Sequence, residues 1–93
     1  MNEKVIFELP HIKLVQSEKM EIIVAVEDTE LNDYVEDFLW DNYGLDEYGI
    51  VENEKDNLTC YYNYYEVKDL ELLIEALKSL DVKEIVRIFA INN

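Results

Sequence analysis

A chain of 93 residues with 22 acidic and 8 basic side chains carries a formal charge of −14 at pH 7. Such an excess repels polyanions, which argues against direct binding to nucleic acid or to an anionic membrane surface and makes a basic protein the expected partner. Half of the residues are apolar (49%), while Gly (2) and Pro (1) are scarce, so residues 1–93 suit one small domain with a single core and not a disordered chain.

In chain order, residues Lys4 to Gln16 read as extended, with Val5, Phe7 and Leu9 on one face, a break at Pro10-His11, and Ile12 and Leu14 resuming the pattern. Pro10 would interrupt a central ladder, which predicts an edge strand or a bent arm. Ser17 to Lys19 form a polar turn into Met20–Val26, where Ile22, Ile23, Val24 and Val26 predict a strand buried on both faces, paired to the preceding segment as a hairpin. Asp28 to Asn42 is a helix by spacing, since Leu31, Val35, Phe38 and Leu39 recur at i, i+4, i+7 and i+8. Gly44 supplies its C-cap. Gly49–Glu54 is expected as a short strand, Glu54–Asn57 as a hairpin turn, and Leu58–Val67 as a strand of high β propensity. Asp69 caps a second helix running to Leu80, with Leu70, Leu73, Ile74, Leu77 and Leu80 on its inner face, and Lys83–Ile91 is expected to close the chain as a strand.

From Met20 onward this order, βαββαβ, resembles the ferredoxin-like sandwich, an α+β fold with an antiparallel sheet and two helices on one face. The resemblance implies a 20–91 core preceded by an N-terminal strand or arm, 1–19. It also carries a conflict. In that topology the first strand is interior, so the N-terminal segment cannot pair with it as a simple hairpin. Either that segment lies elsewhere as an arm, or the sheet has its own five-stranded order.

The most distinctive stretch is Glu27 to Glu47, EDTELNDYVEDFLWDNYGLDE, with nine carboxylates, no Lys or Arg, one Trp and two Tyr. On a helix, Glu30, Asp33, Asp37 and Asp41 form a stripe opposite the apolar face, Glu36 flanks it, and Trp40 lies among the acids. These five carboxylates span about 16 Å, roughly one charge per 3–4 Å, comparable to the phosphate spacing of one DNA strand at ~3.4 Å. Asp33, Asp37 and Asp41 repeat at i, i+4, i+8 with no intervening cation, a like-charge arrangement costing a few tenths of a kcal/mol per pair. Asp41 also opposes the helix dipole. Glu30, Asp33, Glu36, Asp37, Trp40, Asp41, Tyr43, Asp46 and Glu47 are therefore the candidate partner-binding residues, with Tyr34 beside Tyr43 as a second source of apolar contact. An acidic helix face that only aids solubility is the plain alternative.

Other motifs point to no reaction. Tyr61, Tyr62, Tyr64 and Tyr65 divide between the two faces of one strand; one pair is expected under the helices and the other, with Asn63, on an open face usable by a protein partner. The placement is like that of RNA-recognition aromatics, but the associated glycines and basic residue are missing. His11 is the only histidine and Cys60 the only cysteine. A solvated imidazole and a buried, inert thiol are expected, with no nucleophile–base pair. Neither DTELND nor DNYGLD matches a calcium loop, so no metal, cofactor or catalytic residue is assigned. One cysteine suits a reducing compartment, and without a signal-like segment or a long apolar run the expected location is the cytoplasm.

Small size, strong acidity and a compact α+β plan make the chain resemble counter-defence proteins of phages and mobile elements, the anti-CRISPR and antirestriction proteins, several of which mimic DNA. The resemblance rests on whole-chain size and charge and on the Met20–Glu54 window, which holds twelve acids and no base. It implies occlusion of a nuclease's DNA groove with carboxylates at phosphate positions, in the host cytoplasm if phage-encoded. An immunity protein neutralising a basic nuclease toxin, and a small acidic interaction domain without mimicry, are the competing expectations. A homodimer through exposed aromatics is also open.

Overall fold

The computed structural model describes residues 3–92. Five strands form one antiparallel sheet: β1 (Lys4–Leu9), β2 (Ile12–Gln16), β3 (Ile22–Glu27), β4 (Gly49–Lys55) and β5 (Leu58–Tyr65), in the order β1-β2-β3-β5-β4. Three helices accompany it: α1 (Thr29–Tyr43) between β3 and β4, then α2 (Leu70–Lys78) and α3 (Val82–Asn92) after a short 3-10 turn, Val67–Asp69. The fold is α+β, and its strand order differs from a simple ferredoxin-like sheet.

Local chemistry explains the connections. Pro10 and His11 make the β1–β2 turn, with His11 in the left-handed region (φ 62), so the N-terminal stretch is two strands of a hairpin and not a single arm. Ser17 organises the next turn: its Oγ accepts from the N–H groups of Lys19 and Glu21, and the Met20 N–H donates to the Ser17 carbonyl at 2.9 Å. Between β4 and β5 the two turn residues Asp56 and Asn57 both have positive φ (54 and 67). That is the backbone of a two-residue hairpin turn whose twist matches its strands, and Asp and Asn are among the few side chains that tolerate it.

The core lies between one sheet face and the helices. Leu14, Val24, Asn63 and Ile50 lie opposite one another across four strands, so they share a face. On that face Ile12, Leu14, Ile22, Val24, Val26 and Tyr65 are buried beneath Leu31, Val35 and Leu39 of α1, Leu73, Ala76 and Leu77 of α2, and Ile85 of α3. On the other face Val15 and Ile23 are also buried but stand outside this cluster, among Ala25, Tyr62 and Tyr64. β3 is thus buried on both faces, as its unbroken apolar run predicts.

Two further expectations are corrected. Lys83–Ile91 is helical, not a sixth strand. In a strand, Lys83, Ile85, Arg87 and Phe89 would share one side and mix charge with apolar surface, whereas a 3.6 period sends Ile85 and Ile88 to the core and leaves Lys83, Val86 and Arg87 outside. Asp81 starts the helix by accepting the Lys83 N–H at 3.0 Å, and Glu84 pairs with Arg87 at 2.8 Å one turn on. The second correction concerns Asn63, which lies on the covered face with Tyr61 and Tyr65 and is 1% exposed. The open face keeps Tyr62 and Tyr64.

Candidate protein-interaction site

α1 begins and ends by strong local signals. Asp28 is the N-cap: its Oδ2 accepts the Leu31 N–H at 3.0 Å, and its own N–H donates to the Thr59 carbonyl of β5 at 2.8 Å. Gly44, left-handed at φ 66, ends the helix and donates to the Trp40 carbonyl at 3.0 Å, while buried Leu45 donates to Leu39 at 3.1 Å. These ends and the burial of Leu31, Val35 and Leu39 set the rotation of the helix. Its outer surface follows.

Glu30, Asp33, Asp37, Trp40 and Asp41 are all exposed, with Trp40 at 59%, and Asp46 is exposed in the connection beyond the helix. Among the described residues, close contacts between acidic and basic side chains include Lys68 with Asp69, Arg87 with Glu84, and the hydrogen bond of His11 to Glu27. None reaches the α1 acids, Asp46 or Glu47. The row is therefore an uncompensated source of negative potential around an exposed indole.

Glu36 differs from its neighbours. It is half-buried on the flank of α1 that faces β5, where the Asn32 Nδ2 donates to its Oε1 at 3.4 Å and the carboxyl of Glu47 lies within hydrogen-bonding reach. Burial first, then the hydrogen bond with Glu47 and the charges of Glu47, Asp33 and Asp37, push its pKa from 4.5 up to about 7. Near neutral pH Glu36 is therefore protonated far more often than an ordinary carboxyl. Behind them Asn32 accepts from Asn63 Nδ2 at 2.8 Å, and Asn63 also donates to the Val24 carbonyl at 3.0 Å. Tyr65 sits below, its phenol pushed up by burial and then by Glu47, Glu36 and Asp46.

The tyrosines of α1 occupy the opposite flank. Tyr43 is half-buried, its ring 5.9 Å from that of Phe38 and its hydroxyl 3.2 Å from Ser79 Oγ at the end of α2. Tyr34 is half-buried too, its phenol pushed up by burial and by Glu84 and Asp81 of the α3 segment. Trp40 is the aromatic of α1 that faces solvent.

Strand register creates one convergence of residues distant in the chain. On the open sheet face, His11, Lys13, Glu27, Cys60 and Tyr62 line a cavity of about 250 Å³. His11 Nδ1–H donates to Glu27 Oε1 at 3.0 Å, and the ring stacks on Phe89 of α3 with centroids 3.5 Å apart, so the imidazole is held and not freely solvated. Glu27 pairs with Cys60 across the β3–β5 ladder. Burial and the Glu27 charge push the thiol's pKa upward, which keeps it protonated and a poor nucleophile. Strand register brings these residues together, and no spacing within the chain announces it. No protein-family model matches the chain, and no curated protein or solved structure matches it.

Proposed function

We propose that this protein is an inhibitor, with no catalytic residues of its own, that binds the basic nucleic-acid-binding surface of a nuclease effector in the manner of anti-CRISPR or antirestriction DNA mimics. The observation that carries the reading is the uncompensated acidic row on α1 with Trp40 exposed within it. Because Glu36 is half-buried beside Glu47 and its pKa is raised to about 7, the exposed row on α1 is Glu30, Asp33, Asp37 and Asp41. Their mean spacing of about 5–6 Å gives roughly three-fifths of the linear charge density of a DNA strand. Asp46 adds to it beyond the helix end. A groove lined with Lys and Arg would meet this row by complementary charge, and Trp40 would supply the apolar anchor that a phosphate backbone lacks.

For the scaffold, the β3–α1–β4–β5–α2 run and the local order β3-β5-β4 support a ferredoxin-like relation in which β2 of the N-terminal hairpin takes the outer place beside β3. The functional test is a tagged pull-down from lysate containing host nucleases, together with the Asp33→Lys, Asp37→Lys, Asp41→Lys triple variant. A basic nuclease captured at low salt, released by salt and by competitor duplex, and lost at least about 100-fold in the triple variant is the expected result. Capture and inhibition that persist in the folded triple variant would remove the row from the mechanism.

A further inference from the structure

The sheet has two edges, and they are finished differently. β1 carries a bulge between Val5 and Phe7 and runs into Pro10, which has no N–H to donate. Bulges and proline are devices that keep an edge strand from pairing with another chain. β4 has neither. Its seven residues, Gly49–Lys55, hold unbroken register with β5, and no strand pairs with its outer side among the described residues. It also lies clear of the helices: residues 50–55 are exposed on both faces, with Ile50 at 44% and Val51 at 51%.

The charge of this edge selects its occupant. From Asp46 to Asp56 there are five acids and one Lys. Glu52 and Glu54 share with Ile50 the face on which Asn63 bonds to Asn32 of α1, which is the flank that also carries the Glu36–Glu47 pair. A second copy fits poorly, because antiparallel pairing centred on β4 places Glu52 against Glu52, and each copy brings a charge of −14. A cationic strand meets no such penalty. We propose that β4 accepts an extended basic segment of a partner protein as a sixth strand, with Lys or Arg at alternate positions beside Glu52 and Glu54 and apolar side chains over Val51. Main-chain bonds would supply the pairing and the alternate side chains the selectivity. The proposal stands apart from the nuclease reading, since it uses the sheet edge and not the α1 row.

The test is an NMR titration of the whole protein with three seven-residue peptides, matched in length to β4. One alternates lysine and valine, one has the same sequence with alternate backbone nitrogens methylated, and one replaces lysine by glutamate. Shift changes and slowed amide exchange confined to Gly49–Lys55 are expected with the first peptide, and binding at least about ten-fold weaker with the other two. Glu52→Lys with Glu54→Lys, both at exposed positions, should weaken the first peptide similarly while leaving the β2 and β3 resonances in place. Equal binding of the methylated peptide, shifts that follow Asp33, Asp37 and Asp41, or no response to any peptide would overturn the proposal. So would exchange in β4 that slows with protein concentration alone, which would assign the edge to a second copy.

Discussion

Asn63 shows how one polar side chain can tie layers together. It is buried between sheet and helix, donates to Val24 and to Asn32, and its own Oδ1 has no hydrogen-bond partner. A buried polar group is costly when unpaired, so truncating Asn63 strands the Asn32 Oδ1 and removes the side-chain bond to the Val24 carbonyl, which keeps its ladder pairing with β5. Asn63→Ala is expected to lower stability by roughly 2–4 kcal/mol in urea unfolding. Asn32→Ala added to it should cost much less than it does alone, because its main buried partner is already gone. Full additivity of the two would mean that the Asn32–Asn63 bond contributes nothing. The alternating tyrosines on either side indicate a two-faced strand, but they do not say which face is covered. Asn63 went to the covered side because register with β3 puts it opposite Val24.

At the scale of elements, α1 and the connection to β4 are joined through Glu36 and Glu47. Glu36 takes up its proton more readily folded than unfolded, since its pKa rises from 4.5 to about 7. The stabilising contribution is then fully present below pH 4.5 and is lost as pH rises through about 7, beyond which it changes no further. Glu36→Gln keeps the hydrogen-bonding shape without the titration. Its Tm should equal or exceed that of the parent at about pH 8, and the decline of Tm between about pH 5 and about pH 7.5 should flatten. An unchanged slope would place the titration elsewhere. The motif that made α1 legible, apolar residues at 3.6 spacing, also made it easy to count Glu36 with the exposed acids. Only the packing of the flank against β5 separates it from Asp33 and Asp37.

For the whole molecule, the strongest influence on stability beyond the core is self-repulsion. With 22 acids, 8 bases and few ion pairs among the described residues, the folded chain concentrates negative charge that the expanded chain disperses. Raising NaCl from about 10 mM to about 500 mM shortens the Debye length from about 30 Å to roughly 4–5 Å, and Tm is expected to rise by several degrees. A Tm that falls with salt would mean that attractive pairs outweigh the repulsion. Salt is also expected to weaken any basic partner, so stability and binding should move in opposite directions. That opposition distinguishes charge held for a partner from charge that shapes the fold.

The sequence alone was sufficient for local matters: the α1 helix with its Gly44 cap, the doubly buried β3, a hairpin turn near Glu54–Asn57 and the position of the acidic row. Each depends on periodicity or on one residue's backbone preference, and such signals act over a few residues. The β1–β2 hairpin, the helical end of the chain, the raised pKa of Glu36 and the His11–Glu27–Cys60 cavity were decided by tertiary structure. Lys83–Ile91 is rich in β-branched residues and could pair as a strand. The position beside β3 is already filled by β2, and burying Ile85 and Ile88 against α1 and the sheet is what a helix achieves. Contacts between residues distant in the chain are set by register and packing, which no window of sequence contains.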